Sequence, residues 1–112
     1  MSVLIAYRTR YGTTGKCAGL LRDRLSAETH IADLKREREP EIEPHDTVIL
    51  GGSIYGGTIQ QDLISFCEYH RAALLERRVG LYLCCLYQGE KARQQIHATY
   101  PSWLVAHASL MS

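Results

Sequence analysis

Hydroxyls gather around a glycine in the stretch Thr9-Arg10-Tyr11-Gly12-Thr13-Thr14. A helix N-cap needs one side-chain oxygen, and three threonines exceed that need. The surplus suits an anion. Hydroxyls and unpaired backbone N–H groups at a helix start converge on a phosphate, and the helix dipole favours its charge. A second such stretch is Gly51-Gly52-Ser53-Ile54-Tyr55-Gly56-Gly57-Thr58, four glycines around a hydroxyl and an aromatic ring. A third, Leu86-Tyr87-Gln88-Gly89, is short and again aromatic. Tyrosine faces can sandwich a flat ring, at roughly 0.5–1.5 kcal/mol per aromatic pair beyond area burial. Glycines let backbone approach the polar edge of such a ring. The three stretches suit one ligand with a phosphate tail and a flat ring system.

Other chemistries fit less well. Gly15-Lys16 resembles the end of a nucleotide P-loop, but position 10 is not glycine and position 17 is not Ser or Thr. Cys17 lacks an arginine at the spacing of a phosphatase loop, since Arg22 is one residue too close. Cys67 and His70 form a C-x-x-H pair with no second pair to complete a zinc site. That pair reads as a buried thiol one turn from a surface histidine. Arg8 and Arg10 flank the hydroxyl loop and read as solvated, although either could assist a phosphate. The five histidines show no catalytic partner pattern, so no catalytic side chain is assigned.

These stretches need elements to hold them. Residues 2–8 contain the apolar run Val3–Ala6 and read as a strand. A helix follows Gly12 and ends near Ser26, with Cys17, Leu20, Leu21 and Leu25 on its apolar side. Thr29–Leu34 reads as a short strand. The charged, proline-punctuated run Lys35–Pro44 reads as a solvated connection. Asp46–Gly51 is a buried strand, Ile59–Glu76 a helix, and Arg78–Leu86 another strand. Lys91–His97 reads as a short helix, Pro101 as a break, and Trp103–Ser109 as a last strand. Alternation of this kind predicts a parallel sheet with helices on both faces and right-handed crossovers. The loops after the first, third and fourth strands then leave one edge of the sheet, where open α/β sheets bind ligands.

The chain has 112 residues, enough for one domain and one core, so a single domain over 1–112 is expected. Its net charge of +1 gives no reason to expect nucleic acid or a membrane surface as partner. No apolar run is long enough to span a bilayer, and the start reads as a strand rather than a signal peptide. Cysteines 17, 67, 84 and 85 include no C-x-x-C pair and read as reduced, in a cytoplasmic protein. No residues remain for a helix after the last strand. The face near Trp103, Leu104 and Val105 is therefore expected to be covered by a second copy, as a homodimer.

The sequence resembles the flavodoxin family. Thr9-Arg-Tyr-Gly12-Thr-Thr14 is similar to that family's phosphate loop, T/S-x-T-G-x-T, with Tyr11 in place of its second Thr. Gly51-Gly-Ser53-Ile-Tyr55-Gly56 is similar to its G-x-S-x-aromatic-G loop. The resemblance implies an α/β fold: a doubly wound, five-stranded parallel sheet of order 2-1-3-4-5, with the final helix missing. It also implies FMN as cofactor. The phosphate would sit on Thr9, Arg10, Tyr11, Gly12, Thr13 and Thr14. The isoalloxazine would sit against Ser53, Ile54, Tyr55, Gly56, Gly57, Leu86, Tyr87, Gln88 and Gly89. The implied activity is electron transfer or flavin-dependent oxidation, with a redox partner protein or a quinone or other small molecule. Leu50–Gly57 and the strand opening Arg78-Val-Gly-Leu most resemble the branch that includes menaquinone-dependent protoporphyrinogen dehydrogenase. The alternative is a truncated domain without catalysis, serving as an interaction or oligomerisation module.

Overall fold

The structure, a computed structural model, describes residues 2–8, 19–20, 22–24, 28–37, 40–53, 61–84 and 90–110. Five strands are present: β1 Ser2–Tyr7, β2 Glu28–Asp33, β3 Thr47–Ser53, β4 Arg78–Cys84 and β5 Ser109–Leu110. All neighbours pair in parallel, in the order β2-β1-β3-β4-β5. This is the expected topology, with the fifth strand reduced to two residues.

Helical residues 19–20 and 22–24 form the described part of α1. They are followed by α2 Gln61–Tyr69, α3 Arg71–Leu75, α4 Glu90–Thr99 and α5 Ser102–His107.

Strand alternation sorts the core. One sheet face presents Leu4, Ala6, Ala32, Val48, Leu50, Val79 and Leu81. These pack with Leu63, Phe66, Cys67, Leu74, Ile96, Tyr100, Leu104 and Val105 from the helices. Leu50 is fully buried, so Leu50→Ala would cost about 2–5 kcal/mol through lost transfer energy and a cavity. The opposite face carries Val3, Ile5, Ile49 and Tyr82, also buried. Both faces of the central strands are thus apolar, as a parallel sheet requires.

The charged connection after β2 is only partly solvated. Asp33 turns the chain, its backbone carbonyl accepting from Arg36 and Glu37 and its side chain from the Lys35 N–H. Pro40 and Ile42 then insert into the core. The Arg77 guanidinium holds this segment against α3, donating to the carbonyls of Glu43, His45 and Ala73 at 3.2, 2.9 and 2.8 Å.

In the helices and the last elements the structure corrects the sequence reading four times. The single helix read over Ile59–Glu76 is broken at His70, whose φ of −101° and ψ of 22° interrupt it without a Gly or Pro. Leu20, placed on the apolar side of α1, is 62% exposed, because periodicity gives a helix an apolar side without stating what lies opposite it. The segment read as a last strand is mostly helix α5. A short apolar run does not distinguish the two states, and Pro101, extended at ψ 140°, stands as the N-cap where α5 begins.

The fourth correction follows from the third. Leu104 and Val105 are buried within this chain, and Trp103 is partly covered, its Nε1–H bonded to Glu68 and its ring facing Arg71. These residues do not form the open face on which the homodimer expectation rested.

Candidate functional site at the carboxyl edge of the sheet

Parallel strands end together. Tyr7 of β1 is level with Gly51 of β3, and Gly51 with Tyr82 of β4. With about 4.8 Å between neighbouring strands, the ends of β1, β3 and β4 fall within roughly 10 Å. β2 follows β1 on one side and β3 lies on the other, so the order reverses between β1 and β3. Open α/β sheets bind ligands at such a reversal. The segments that continue from these three strand ends are the three stretches selected from the sequence.

Of the site residues named from the sequence, Ser53 is described. It ends β3, level with Cys84 of β4. Thr9, Arg10, Tyr11, Gly12, Thr13, Thr14, Ile54, Tyr55, Gly56, Gly57, Leu86, Tyr87, Gln88 and Gly89 lie outside the described residues. The strand read as ending at Gly51 runs on through Gly52 to Ser53.

Four residues that the sequence reading had not placed in the site frame its edge. Arg8 extends the β1–β3 pairing: its N–H donates to the Gly51 carbonyl at 3.0 Å. Its side chain is 21% exposed rather than solvated, and its Nε–H donates to Asp62 Oδ2 at 2.8 Å. Asp62 stands in the first turn of α2, where a carboxylate also meets the positive end of the helix dipole.

Tyr82 lies over Gly51, where a β-carbon would meet its ring. Tyr100, buried at the end of α4, donates its hydroxyl to the Tyr82 carbonyl at 2.9 Å, with the Leu50 carbonyl at 3.4 Å. It thereby joins a helix to β3 and β4 just before their ends. No residue-type motif marks these roles, which depend on which strand ends are neighbours.

Next to the edge, Tyr7 titrates above its ordinary 10.0, through burial first and the Asp33 carboxylate second. It therefore stays a neutral phenol at neutral pH. Cys67, from the C-x-x-H pair, is fully buried in the core rather than at this edge. Burial pushes its thiol up to about 12, so it is a packing group rather than a nucleophile. The His70 ring packs 4.6 Å from that of Phe66 and 4.9 Å from that of Tyr69.

Residues 4–110 match the profile of the flavodoxin domain family. The chain belongs to that family.

Solved structures share its fold at low sequence identity. Oxidised flavodoxin 1 from Bacillus cereus is 16% identical, with a TM-score of 0.62 over 99% of this flavodoxin-domain chain and 84% of its own. A flavoprotein from Lactobacillus acidophilus, solved in complex with FMN, is 13% identical, with a TM-score of 0.64 over 98% and 89%. Rubredoxin oxygen:oxidoreductase from Desulfovibrio gigas is 16% identical, with a TM-score of 0.63 over 99% of this chain and 30% of its own. No curated protein sequence matches the chain.

Proposed function

We propose that this flavodoxin-domain chain is one domain over residues 1–112 that binds FMN non-covalently and works as a redox protein. The supporting observation is positional. Thr9–Thr14 and Gly51–Gly56, similar to the family's phosphate and ring loops, continue or lie at the neighbouring ends of β1 and β3, where the strand order reverses.

The residues fit the cofactor's charge. Segments 9–18, 54–60 and 85–89 contain no Asp or Glu, while the first carries Arg10 and Lys16. Asp62, a described carboxylate beside them, is paired with Arg8 and so opposes a phosphate dianion less.

In this reading the hydroxyls of Thr9, Thr13 and Thr14 and the backbone N–H groups of 9–14 hold the phosphate. Tyr55 and Tyr87 cover the ring, and the glycines of 56–57 and 89 let backbone reach its polar rim. Flavin supplies reversible one- and two-electron transfer when bound. The protein orients the ring, limits water around it and sets the field at its nitrogens. No side chain of this chain needs to act as acid or base.

A redox partner protein or a quinone-like small molecule completes the cycle, and cysteines read from the sequence as reduced suit a cytoplasmic setting. Leu50–Gly57 and Arg78–Leu81 favour, as the finer reading, the branch that oxidises protoporphyrinogen.

The absorption spectrum of the purified protein tests the flavin reading. A yellow protein that releases FMN on denaturation supports it. A colourless protein that takes up no added FMN contradicts it.

A further inference from the structure

Arg8 and Asp62 are 54 positions apart in sequence and meet at 2.8 Å at the edge of the sheet. Arg8 directly precedes the segment 9–14, and Asp62 follows 54–57 by a few residues. Arg8 is also fixed through its backbone, whose N–H bonds to Gly51 of β3. One residue thus grips the end of β3 with its main chain and the start of α2 with its side chain. The guanidinium already faces a carboxylate, so its charge is largely spoken for before any anion arrives.

We infer that the Arg8–Asp62 ion pair is a positioning pair. It ties the end of β1 to the first turn of α2 and so fixes the spacing between the proposed phosphate and ring segments. This rests on the flavin reading above. Arg8 acts on the flavin through Asp62 rather than by touching the phosphate.

The two roles predict different ligand dependence. A tie serves the ring and the phosphate together, so breaking it weakens FMN and riboflavin alike. A phosphate counter-charge serves FMN alone, and freeing it from Asp62 would tighten FMN.

The test titrates FMN and riboflavin into the wild type, Arg8→Gln, Asp62→Asn and the exchange Arg8→Asp/Asp62→Arg, following flavin fluorescence. Both single variants are expected to weaken both flavins by roughly three- to five-fold, the scale of a partly exposed ion pair. The exchange variant should recover part of the loss. Added salt should shrink the gap between wild type and Arg8→Gln, since partly exposed charges are screened.

Loss of FMN alone in Arg8→Gln, with tighter FMN in Asp62→Asn, would overturn the inference, and so would unchanged binding in every variant. A wild type that binds neither flavin would overturn the flavin reading and this inference with it. A wild type that binds FMN beside unaffected variants overturns the inference alone.

Discussion

The ring of Tyr82 on β4 lies over Gly51 on β3, in the space that a β-carbon at Gly51 would fill. The glycine stretch 51–57 suggests close approach to a ligand, yet its first member has a nearer reason to be glycine. Any side chain at 51 would drive the buried Tyr82 off the sheet face. Gly51→Ala is expected to destabilise the fold by about 1–3 kcal/mol, the usual cost of overpacking. In a Tyr82→Leu background the same change should cost much less, because contacting residues are not additive. Urea midpoints of the four proteins check this. An equal cost in both backgrounds would contradict the steric pairing.

Tyr100 joins α4 to the sheet through its hydroxyl, with 2.9 Å to the Tyr82 carbonyl. Tyr100→Phe keeps the ring and removes the donor. It is expected to cost about 1–2 kcal/mol, because a buried hydrogen bond to the Tyr82 carbonyl is lost. The urea midpoint should fall with the slope unchanged. No shift in the midpoint would show that the hydroxyl adds nothing.

The amino edge of the sheet carries a pH-sensitive histidine. His45 Nδ1 lies 2.8 Å from Ser2 Oγ, and its ring stacks on that of His30 with 6.3 Å between centroids. His30 also meets Glu37 at 3.1 Å. Partial burial, then His30, lower the His45 pKa from its ordinary 6.5; Arg77 adds to this, and Glu28 and Asp46 oppose it. The folded state therefore disfavours protonation of His45. Above about pH 6.5 both states are neutral there and the contribution is complete. As pH falls below that value the unfolded state binds its proton first, so stability declines. His45→Asn should lose less stability than the wild type between about pH 7 and about pH 5. Parallel pH profiles for the two proteins would contradict this.

Cys67 is buried, with a thiol pushed up to about 12. It should resist alkylation in the native protein near neutral pH and react on denaturation. Peptide mapping after iodoacetamide distinguishes it from the other cysteines. Fast native labelling at Cys67 would contradict its burial.

The central sheet was legible because β1 and β3 are short apolar runs, Val3–Ala6 and Val48–Leu50, that fit strands buried on both faces. Pro40 and Ile42 were hidden in a charged tract, since composition averages over the two positions that enter the core. Trp103–His107 was misread because its apolar residues are too few to show a period, and adjacent Leu104 and Val105 are both buried. The site divides in the same way. Its hydroxyl and glycine segments are visible as motifs. The Arg8–Asp62 pair is not, because it needs the knowledge that the end of β1 and the start of α2 are neighbours.

The most direct test of the account is an FMN titration of the flavin-free protein, followed by flavin fluorescence, with riboflavin as the control. The account predicts strong quenching by FMN and much weaker quenching by riboflavin, because residues 9–14 hold a phosphate that riboflavin lacks. Absence of quenching by either flavin would contradict the proposal that this flavodoxin-domain chain binds FMN.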